Sequence, residues 1–275
     1  KCAKLPNENR PNYRMKMRQT AERKPAKLPN CRKYFVILRT DRIGYMTKIE
    51  TYRPRIADKL LARKLKGKGA VLIEGPKWCG KTTTAEQLAR SVLYVSQPGK
   101  VAQNIELSRL NPSLLLKGEK PRLLDEWQVA PLLWDAVRFD ADHSLSLGLY
   151  ILTGSCVPAD MSEVIHSGTG RFGWLKMRPM SLWESGDSSG DVSIKALFDG
   201  ASDISGISGI DLQKMAFLCC RGGWPLSVDM EEDIALDQAF DYVDAVEHRD
   251  IQNVDGVERE PSRVHRLLRS YARHQ

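Results

Sequence analysis

The sequence lacks the features that would assign it to a secreted or membrane class. It contains no uninterrupted apolar run approaching the roughly 20 residues that cross a bilayer, and its first residues include no apolar segment of the roughly 7–15 residues that a signal peptide needs. We therefore expect no transmembrane helix, no membrane partner and a cytoplasmic location. The cysteines form no CxxC pair and have no histidine partners at zinc spacing, so reduced thiols are expected rather than disulfides or a zinc site. The six cysteines are Cys2, Cys31, Cys79, Cys156, Cys219 and Cys220.

A net positive charge is missing from most of the chain, although the formal net charge of the whole is +8. Residues 1–48 contain 14 Lys and Arg against 3 acidic residues, whereas residues 49–275 contain 28 basic against 31 acidic residues. The first 48 residues show no helical or strand period and predict a disordered basic tail. We interpret residues 1–45 either as an extension of the gene prediction ahead of Met46 or as an arm that binds nucleic acid. The acidic balance of the remainder does not support a nucleic-acid partner.

From residue 49 onward the pattern is typical of a folded α/β domain. Ile56, Leu60, Leu61 and Leu65 form one apolar face of a helix. The apolar run at 70–74 is bounded by glycines, which is typical of a buried parallel strand. Further strands are predicted at 92–95, 122–126 and 149–152, with a helix over 130–141. Strands that alternate with helices predict a parallel sheet with helices on both faces and ligands at its carboxyl edge.

The segment GPKWCGKT matches the phosphate-binding pattern G-x-x-x-x-G-K-[ST]. It lies between the strand at 70–74 and a predicted helix whose apolar repeat runs to Val92, which is the context that this motif requires. In such a loop the backbone N–H groups point at phosphate oxygens, Lys81 reaches the β and γ phosphates, and the Thr82 hydroxyl can bind Mg²⁺. The sequence therefore predicts ATP and Mg²⁺ as ligands. The predicted nucleotide-binding residues are Gly75, Pro76, Lys77, Trp78, Cys79, Gly80, Lys81, Thr82 and Thr83.

Two adjacent carboxylates end the strand predicted at 122–126. Asp125 is assigned to the metal together with Thr82, because a carboxylate at a strand tip can hold Mg²⁺ through its water shell. Glu126 is assigned as the catalytic residue that orients and deprotonates the attacking water, with Lys81 in the same catalytic set. The alternative is a solvated acidic pair at a strand end. The phosphate loop, at ordinary domain spacing, favours the catalytic interpretation.

Small hydroxyl residues follow the strand predicted at 149–152. Thr153, Gly154 and Ser155 come at the carboxyl edge, where ligands bind in open α/β sheets. One hydroxyl there is interpreted as a sensor of the γ-phosphate, with ordinary turn chemistry as the alternative.

Together these motifs resemble those of bacterial and archaeal AAA-type P-loop ATP-binding proteins, which have an unresolved cellular role and a C-terminal domain of unknown function. The resemblance runs from about residue 49 to the end, through AVLIEGPKWCGKTTTAEQLA, RLLDEWQ, YILTGS, HSGTGR and RGGWP. It implies an AAA-type fold, with GPKWCGKT as the Walker A loop and LLDE as the Walker B strand end. It also implies that Ser155 is a sensor residue and that Arg171 is an arginine finger acting between subunits of a homo-oligomer. An ordinary surface cation is the alternative for Arg171.

The rest of the sequence predicts a helical C-terminal portion after a flexible connection. We place the ATPase core at 49–184, a linker rich in Ser, Gly and Asp at 185–210, and a helical lid at 211–275 that begins a truncated C-terminal domain. Trp224 and Pro225 are interpreted as a packed corner rather than a base-stacking platform. An apolar helical stripe near the terminus has nothing left to cover it: Val264, Leu267, Leu268 and Tyr271.

Three functions remain open from the sequence. The motifs favour Mg²⁺-dependent ATP hydrolysis by an AAA-type ATPase whose cellular target is unknown. The alternatives are a nucleotide-gated binding protein with negligible turnover and a nucleic-acid-dependent ATPase. Cys79 lies inside the phosphate loop, where packing is favoured over redox control.

Overall fold

The computed structural model describes residues 52–144, 146–154, 167–253 and 259–274. The predicted tail over 1–48 and the predicted sensor Ser155 lie outside these residues. The strands are β1 (Ala70–Glu74), β2 (Ser91–Tyr94), β3 (Arg122–Asp125), β4 (Tyr150–Gly154) and β5 (Phe172–Lys176). The helices are α1 (Ile56–Leu65), α2 (Lys81–Glu86), α3 (Val101–Leu110), α4 (Pro112–Leu115), α5 (Leu133–His143), α6 (Leu182–Ser185), α7 (Ile194–Phe198), α8 (Leu212–Arg221), α9 (Glu232–His248) and α10 (Pro261–Arg273). Short 3-10 turns cover Trp127–Val129, Pro225–Ser227 and Asp250–Asn253.

The five strands form one parallel sheet in the order β2-β3-β4-β1-β5. All of β4 and the first four residues of β1 are buried, because strands covered on both faces are apolar throughout. The register pairs Glu74 with Gly154 and Asp125 with Thr153. The chain therefore leaves β1, β3 and β4 at the same edge of the sheet, and the predicted α/β class is confirmed.

Helices cover both faces of this sheet. On one face α5 packs against the strands, and its Trp134 ring stacks on Phe172 with 3.9 Å between ring centroids. On the other face α1 and α2 bury Leu61 and Ala85. Successive residues of β1 point into opposite cores, as the period of two in a strand requires. The rigid sheet between two cores fixes the loops at its carboxyl edge.

The helix after the phosphate loop is shorter than its apolar repeat predicts. The structure ends α2 at Glu86, and Val92 lies in β2. Leu88 and Ala89 still pack against the core formed with α1, so their spacing reflects core contact rather than a continuing helix. The Arg90 N–H donates to the carbonyl of Pro121 at 2.8 Å, just ahead of the pairing of β2 with β3. The prediction of a helix to Val92 is therefore wrong.

The chain after β5 is mostly helical, as predicted. Helices α8 and α10 both pack against α9. Between α6 and α8 the described chain contains only α7 as regular structure and is mostly exposed. The bounds of the linker and the domains stay predictions. In α10, Val264 is buried, whereas Leu267 and Tyr271 are more than half exposed. No helix in the described ranges is long and apolar enough to cross a membrane.

Candidate functional site

The phosphate loop connects the carboxyl end of β1 to the start of α2. Trp78, at φ 64°, and Gly80, at φ 95°, have left-handed backbone conformations that turn the loop. This conformation suits glycine, but at a tryptophan it costs on the order of 1–3 kcal/mol. Strain of this kind persists only where the surrounding structure holds it, as it does at many ligand sites. The loop has the strand and helix context that the sequence predicts.

Lys81 is folded into the loop that precedes it. Its side chain is only 7% exposed, and its Nζ donates to the carbonyls of Gly75 at 3.0 Å and Pro76 at 2.9 Å. Carbonyl oxygens are weaker partners for an ammonium group than phosphate oxygens, because hydrogen bonds between two charged groups are the stronger class. The cation is thus held at the loop by contacts that a bound phosphate can replace.

The two predicted metal residues are in direct contact. The Thr82 hydroxyl donates to Asp125 Oδ1 at 2.7 Å, and the Thr153 hydroxyl donates to the same oxygen at 2.6 Å. Asp125 ends β3 and is only 8% exposed. Both hydroxyls therefore satisfy a buried carboxylate at the edge of the sheet, and Thr153 is placed beside it by the pairing of β3 with β4.

Glu126 follows Asp125 but points into a different environment. Its backbone is left-handed, at φ 56°, which reverses the chain directly after β3. The side chain lies at the wall of the nucleotide cleft, and its carboxylate accepts a hydrogen bond from Gln128 Nε2. The adjacent carboxylates are thus separated: Asp125 is held among hydroxyls, whereas Glu126 faces the cleft.

A cleft of about 710 Å³ opens over the phosphate loop. Three stretches of chain supply most of its lining: residues from 52–55 ahead of α1, the loop with the start of α2, and residues from 225–229 after α8. The other lining residues are Ser96, Glu126 and Met180. The first and third of these stretches carry no phosphate-binding motif and are not among the predicted site residues. The YRPR run before α1 is the one local signal, because it places two cations just ahead of a nucleotide-binding core.

The C-terminal portion contacts the phosphate loop directly. Lys77 Nζ donates to Asp250 Oδ1 at 2.6 Å, and the Trp78 ring lies 6.0 Å from the ring of Tyr242 on α9. On the opposite side of the cleft, Arg53 forms an ion pair with Asp229 through its Nη2, and its Nε lies 3.2 Å from Oδ2 of the same carboxylate. The side chains of the predicted lid therefore meet the cleft at two places.

Arg55 is a buried cation that joins three segments around the loop. Its guanidinium donates to the carbonyls of Cys79 and Arg178, each at 2.8 Å, and to Glu184 Oε1 at 3.1 Å. The side chains of Arg55 and Glu184 are both at least nine-tenths buried. Buried charges are tolerated when they are paired and hydrogen-bonded. This pair stabilises the phosphate loop against the end of β5 and α6.

Replacing Glu184 by Gln is expected to lower the melting temperature at neutral pH by several degrees, from a loss of roughly 2 kcal/mol. Although burial of Glu184 acts to raise its pKa, hydrogen bonds from Ser181 and Ile56 and the charge of Arg55 bring the pKa below the ordinary value of 4.5. A lowered folded pKa gives stability that is present above the ordinary value and lost as the pH falls through the folded one. Thermal unfolding should therefore show a lower melting temperature for the variant than for the parent at neutral pH, and this difference in melting temperature should become smaller in acid.

The matched control for this prediction is Glu232→Gln, because Glu232 is an exposed residue paired with Lys214. Its substitution should leave the melting temperature nearly unchanged, since exposed pairs contribute little. An equal effect of both substitutions would show that the Arg55–Glu184 pair does not stabilise the fold.

Two loop side chains have packing roles. Cys79 is fully buried. Burial raises the pKa of its thiol, although the charges of Lys81 and Arg55 act to lower that pKa. A neutral buried thiol favours the packing interpretation over redox control.

Trp224 packs on Tyr242 at 4.3 Å between ring centroids, which agrees with the predicted corner at Trp224 and Pro225.

Arg171 lies far from the phosphate loop of its own chain. It immediately precedes β5, whose first residue pairs with Ala70 at the start of β1. The loop leaves the other end of β1, roughly 15 Å away at strand spacing. Arg171 forms an ion pair with Asp142, and its hydrogen bond holds the pKa of that carboxyl below its usual range. Any contact of Arg171 with nucleotide would have to be with that of another subunit.

The parallel sheet, the loop after β1 and the threonine–carboxylate contact define a P-loop nucleotide-binding domain. Residues 67–185 match the family model described as an AAA domain, which agrees with the AAA-type resemblance that the motifs indicate.

Solved structures resemble the chain only remotely. The Walker-type ATPase PABY2304 of Pyrococcus abyssi is 13% identical, with 82% of this chain and 79% of that chain covered and a TM-score of 0.41. PCH-2 of C. elegans is 13% identical, with 68% of this chain and 66% of that chain covered and a TM-score of 0.29. No curated protein matches the chain by sequence at a significant level.

Proposed function

We propose that this chain binds ATP with Mg²⁺ in the cleft over the phosphate loop and hydrolyses the bond between the β and γ phosphates. The observation that carries the proposal is the 2.7 Å hydrogen bond between Thr82 and Asp125. It joins residues from two motifs 43 positions apart in the sequence, at the mouth of a loop that already holds Lys81. The cellular target of the activity is not part of the proposal.

Phosphate binding follows from the loop and its lysine. The backbone N–H groups from Lys77 to Thr83 would supply the donors for phosphate oxygens, since Pro76 has none. Lys81 exchanges its two carbonyl partners for oxygens of the β and γ phosphates. The remaining cleft, which reaches residues 52–55 and 225–229, has room for the nucleoside.

The residues at the loop mouth fit Mg²⁺ rather than a softer metal. Mg²⁺ prefers oxygen ligands and keeps several waters, and the donors here are a hydroxyl and a carboxylate. Thr82 would bind the cation directly, and Asp125 would hold it through its water shell. When bound, Mg²⁺ would neutralise the negative charge that develops on the phosphates during transfer.

Hydrolysis needs a base for the attacking water, and Glu126 is placed for this at the cleft wall. Its carboxylate accepts the water proton while the oxygen attacks the γ phosphorus, and ADP leaves with the electrons of the broken bond. Arg171 would supply charge to the nucleotide of a neighbouring copy in a homo-oligomer. Ser155, as sensor, would contact the γ-phosphate.

The test is phosphate release from ATP under multiple-turnover conditions, with Mg²⁺ and with EDTA. Mg²⁺-dependent release well above that of a Lys81→Ala preparation is the expected result. Tight nucleotide binding with no release would support the alternative of a nucleotide-gated binding protein. Release that requires DNA, and disappears with rising salt, would support a nucleic-acid-dependent ATPase.

Replacing Asp125 by Asn should weaken ATP binding in the presence of Mg²⁺ by about 10- to 100-fold, because the cation loses its anionic partner on the protein. Binding without Mg²⁺ should change little. Titration calorimetry with and without Mg²⁺ measures both values, and the exposed Asp237→Asn is the matched control. If the variant keeps the full Mg²⁺ dependence of the parent, Asp125 does not hold the metal.

A further inference from the structure

The turn that follows the carboxylate pair is anchored in the core. Trp127 is buried and its ring lies 5.0 Å from Trp134. Backbone hydrogen bonds from Val129 to Glu126 and from Ala130 to Trp127 close the turn at 3.1 and 3.0 Å. A side chain carried by this turn is therefore fixed relative to Glu126.

Gln128 is carried by this turn, and its amide is oriented by Glu126. The Nε2 group donates to Glu126 Oε2. An ionised carboxylate can only accept hydrogen bonds, so the amide must direct its nitrogen and not its oxygen at Glu126. The orientation of the amide is thus settled by charge.

The other end of the same amide has no hydrogen-bond partner among the described residues. Gln128 Oε1 is buried without a hydrogen-bond partner in the described part of the chain. It lies against the end of β4, where a Cβ added to Gly154 would be 2.6 Å from Oε1. A buried carbonyl without a partner costs about 1–3 kcal/mol. The stability of the fold therefore does not account for an amide at this position, whereas contact with Glu126 does.

We propose that Gln128 is a positioning residue that fixes the Glu126 carboxylate for activation of the attacking water. This inference rests on the proposed hydrolysis, in which Glu126 is the base. Glu126 has a left-handed backbone directly after β3, and it lines the cleft. A hydrogen bond from a neighbouring side chain would hold its carboxylate in one rotamer. The Nε2 group of Gln128 supplies that contact from a turn fixed by Trp127. Gly154 leaves the space in which the amide extends.

The experiment compares the parent with Gln128→Met, which keeps the length of the side chain and removes the donor. We expect kcat for ATP with Mg²⁺ to fall by about 10- to 100-fold, because a misplaced base costs that much. KM should stay within about threefold, since phosphate and metal contacts are untouched. The melting temperature should not fall, because the unpaired carbonyl is also removed. Gln103→Met, on an exposed site of α3, is the matched control and should have the parent kcat.

A double substitution separates positioning from a general effect on the site. In the Glu126→Gln background, Gln128→Met should lower the residual rate no further, because the residue acts through the carboxylate that is already gone. Gln128→Leu, which is shorter and also lacks a donor, should lower kcat at least as much as the Met variant and provides a second measurement if that variant folds poorly.

The outcomes distinguish this inference from the proposed function. An active parent with an unchanged kcat in both Gln128 variants would overturn the inference alone. Equal losses in the parent and the Glu126→Gln backgrounds would also overturn it, since Gln128 would then act independently of Glu126. A parent that releases no phosphate would overturn the proposed hydrolysis and the positioning role with it.

Discussion

Replacing Glu126 by Gln is expected to leave ATP bound and lower its turnover by roughly 10²–10⁴-fold, the loss typical of a general base. The substitution keeps the size of the side chain, and the new amide oxygen can still accept from Gln128. It removes the proton acceptor. Thr82, Asp125 and Lys81 are unchanged, so the affinity for ATP with Mg²⁺ should stay close to that of the parent.

The measurement has two parts: phosphate release over many turnovers, and the ratio of ATP to ADP that remains on the protein after separation from free nucleotide. The variant should retain mostly ATP, and the parent mostly ADP. Glu106→Gln, at an exposed position on α3, is the matched control and should hydrolyse ATP at the parent rate. If Glu126→Gln also does so, Glu126 is a strand-end carboxylate with no role in the reaction.

Replacing Lys81 by Ala is expected to abolish ATP binding. The substitution removes the buried cation that the loop holds at its carbonyls, and the phosphates then enter a site with little positive charge of its own. The other cations that line the cleft do not compensate, because each is paired with a carboxylate: Lys77 with Asp250, Arg53 with Asp229 and Arg55 with Glu184. Both nucleotide affinity and hydrolysis should be lost together.

Titration calorimetry with ATP and Mg²⁺ gives the affinity, and thermal unfolding without nucleotide shows that the variant is folded. Lys59→Ala, at an exposed position of α1, controls for the loss of one positive charge. Micromolar binding by a folded Lys81→Ala protein would contradict the assignment of this lysine to the phosphates.

The sequence predicts those parts of the site that depend on neighbouring residues. The motif GPKWCGKT is enough to predict the loop, and the apolar runs at 70–74 and 122–125 are enough to predict the strands that position it. Asp125 and Thr82 come together because parallel strands end at one edge, which is a consequence of topology. The prediction of a helix to Val92 is wrong because Val92 lies in β2 and packs against the same core as Ala85 on α2. A strand residue and a helix residue that face one core can show the apolar spacing of a single helix.

The parts that the sequence does not reveal are held by distant partners. Arg55 and Glu184 are 129 positions apart, and Arg53 and Asp229 are 176 positions apart. The sequence around a charged residue does not indicate which distant residue it pairs with in the fold. Gln128 is different, because a side-chain amide two positions after a strand-end carboxylate is a signal that could be found by inspection.

Lys77 and Trp78 contact the C-terminal portion. These contacts imply that nucleotide binding in the cleft also stabilises residues outside it. A ligand that binds only the intact loop stabilises every element whose local opening would also distort that loop. Tyr242 lies on α9 and Asp250 lies two residues after its end, and their partners are in GPKWCGKT. Amide hydrogen exchange in α9 should accordingly slow when ATP is present, although no part of α9 lines the cleft. We therefore expect the phosphate loop and α9 to open together as one cooperative unit.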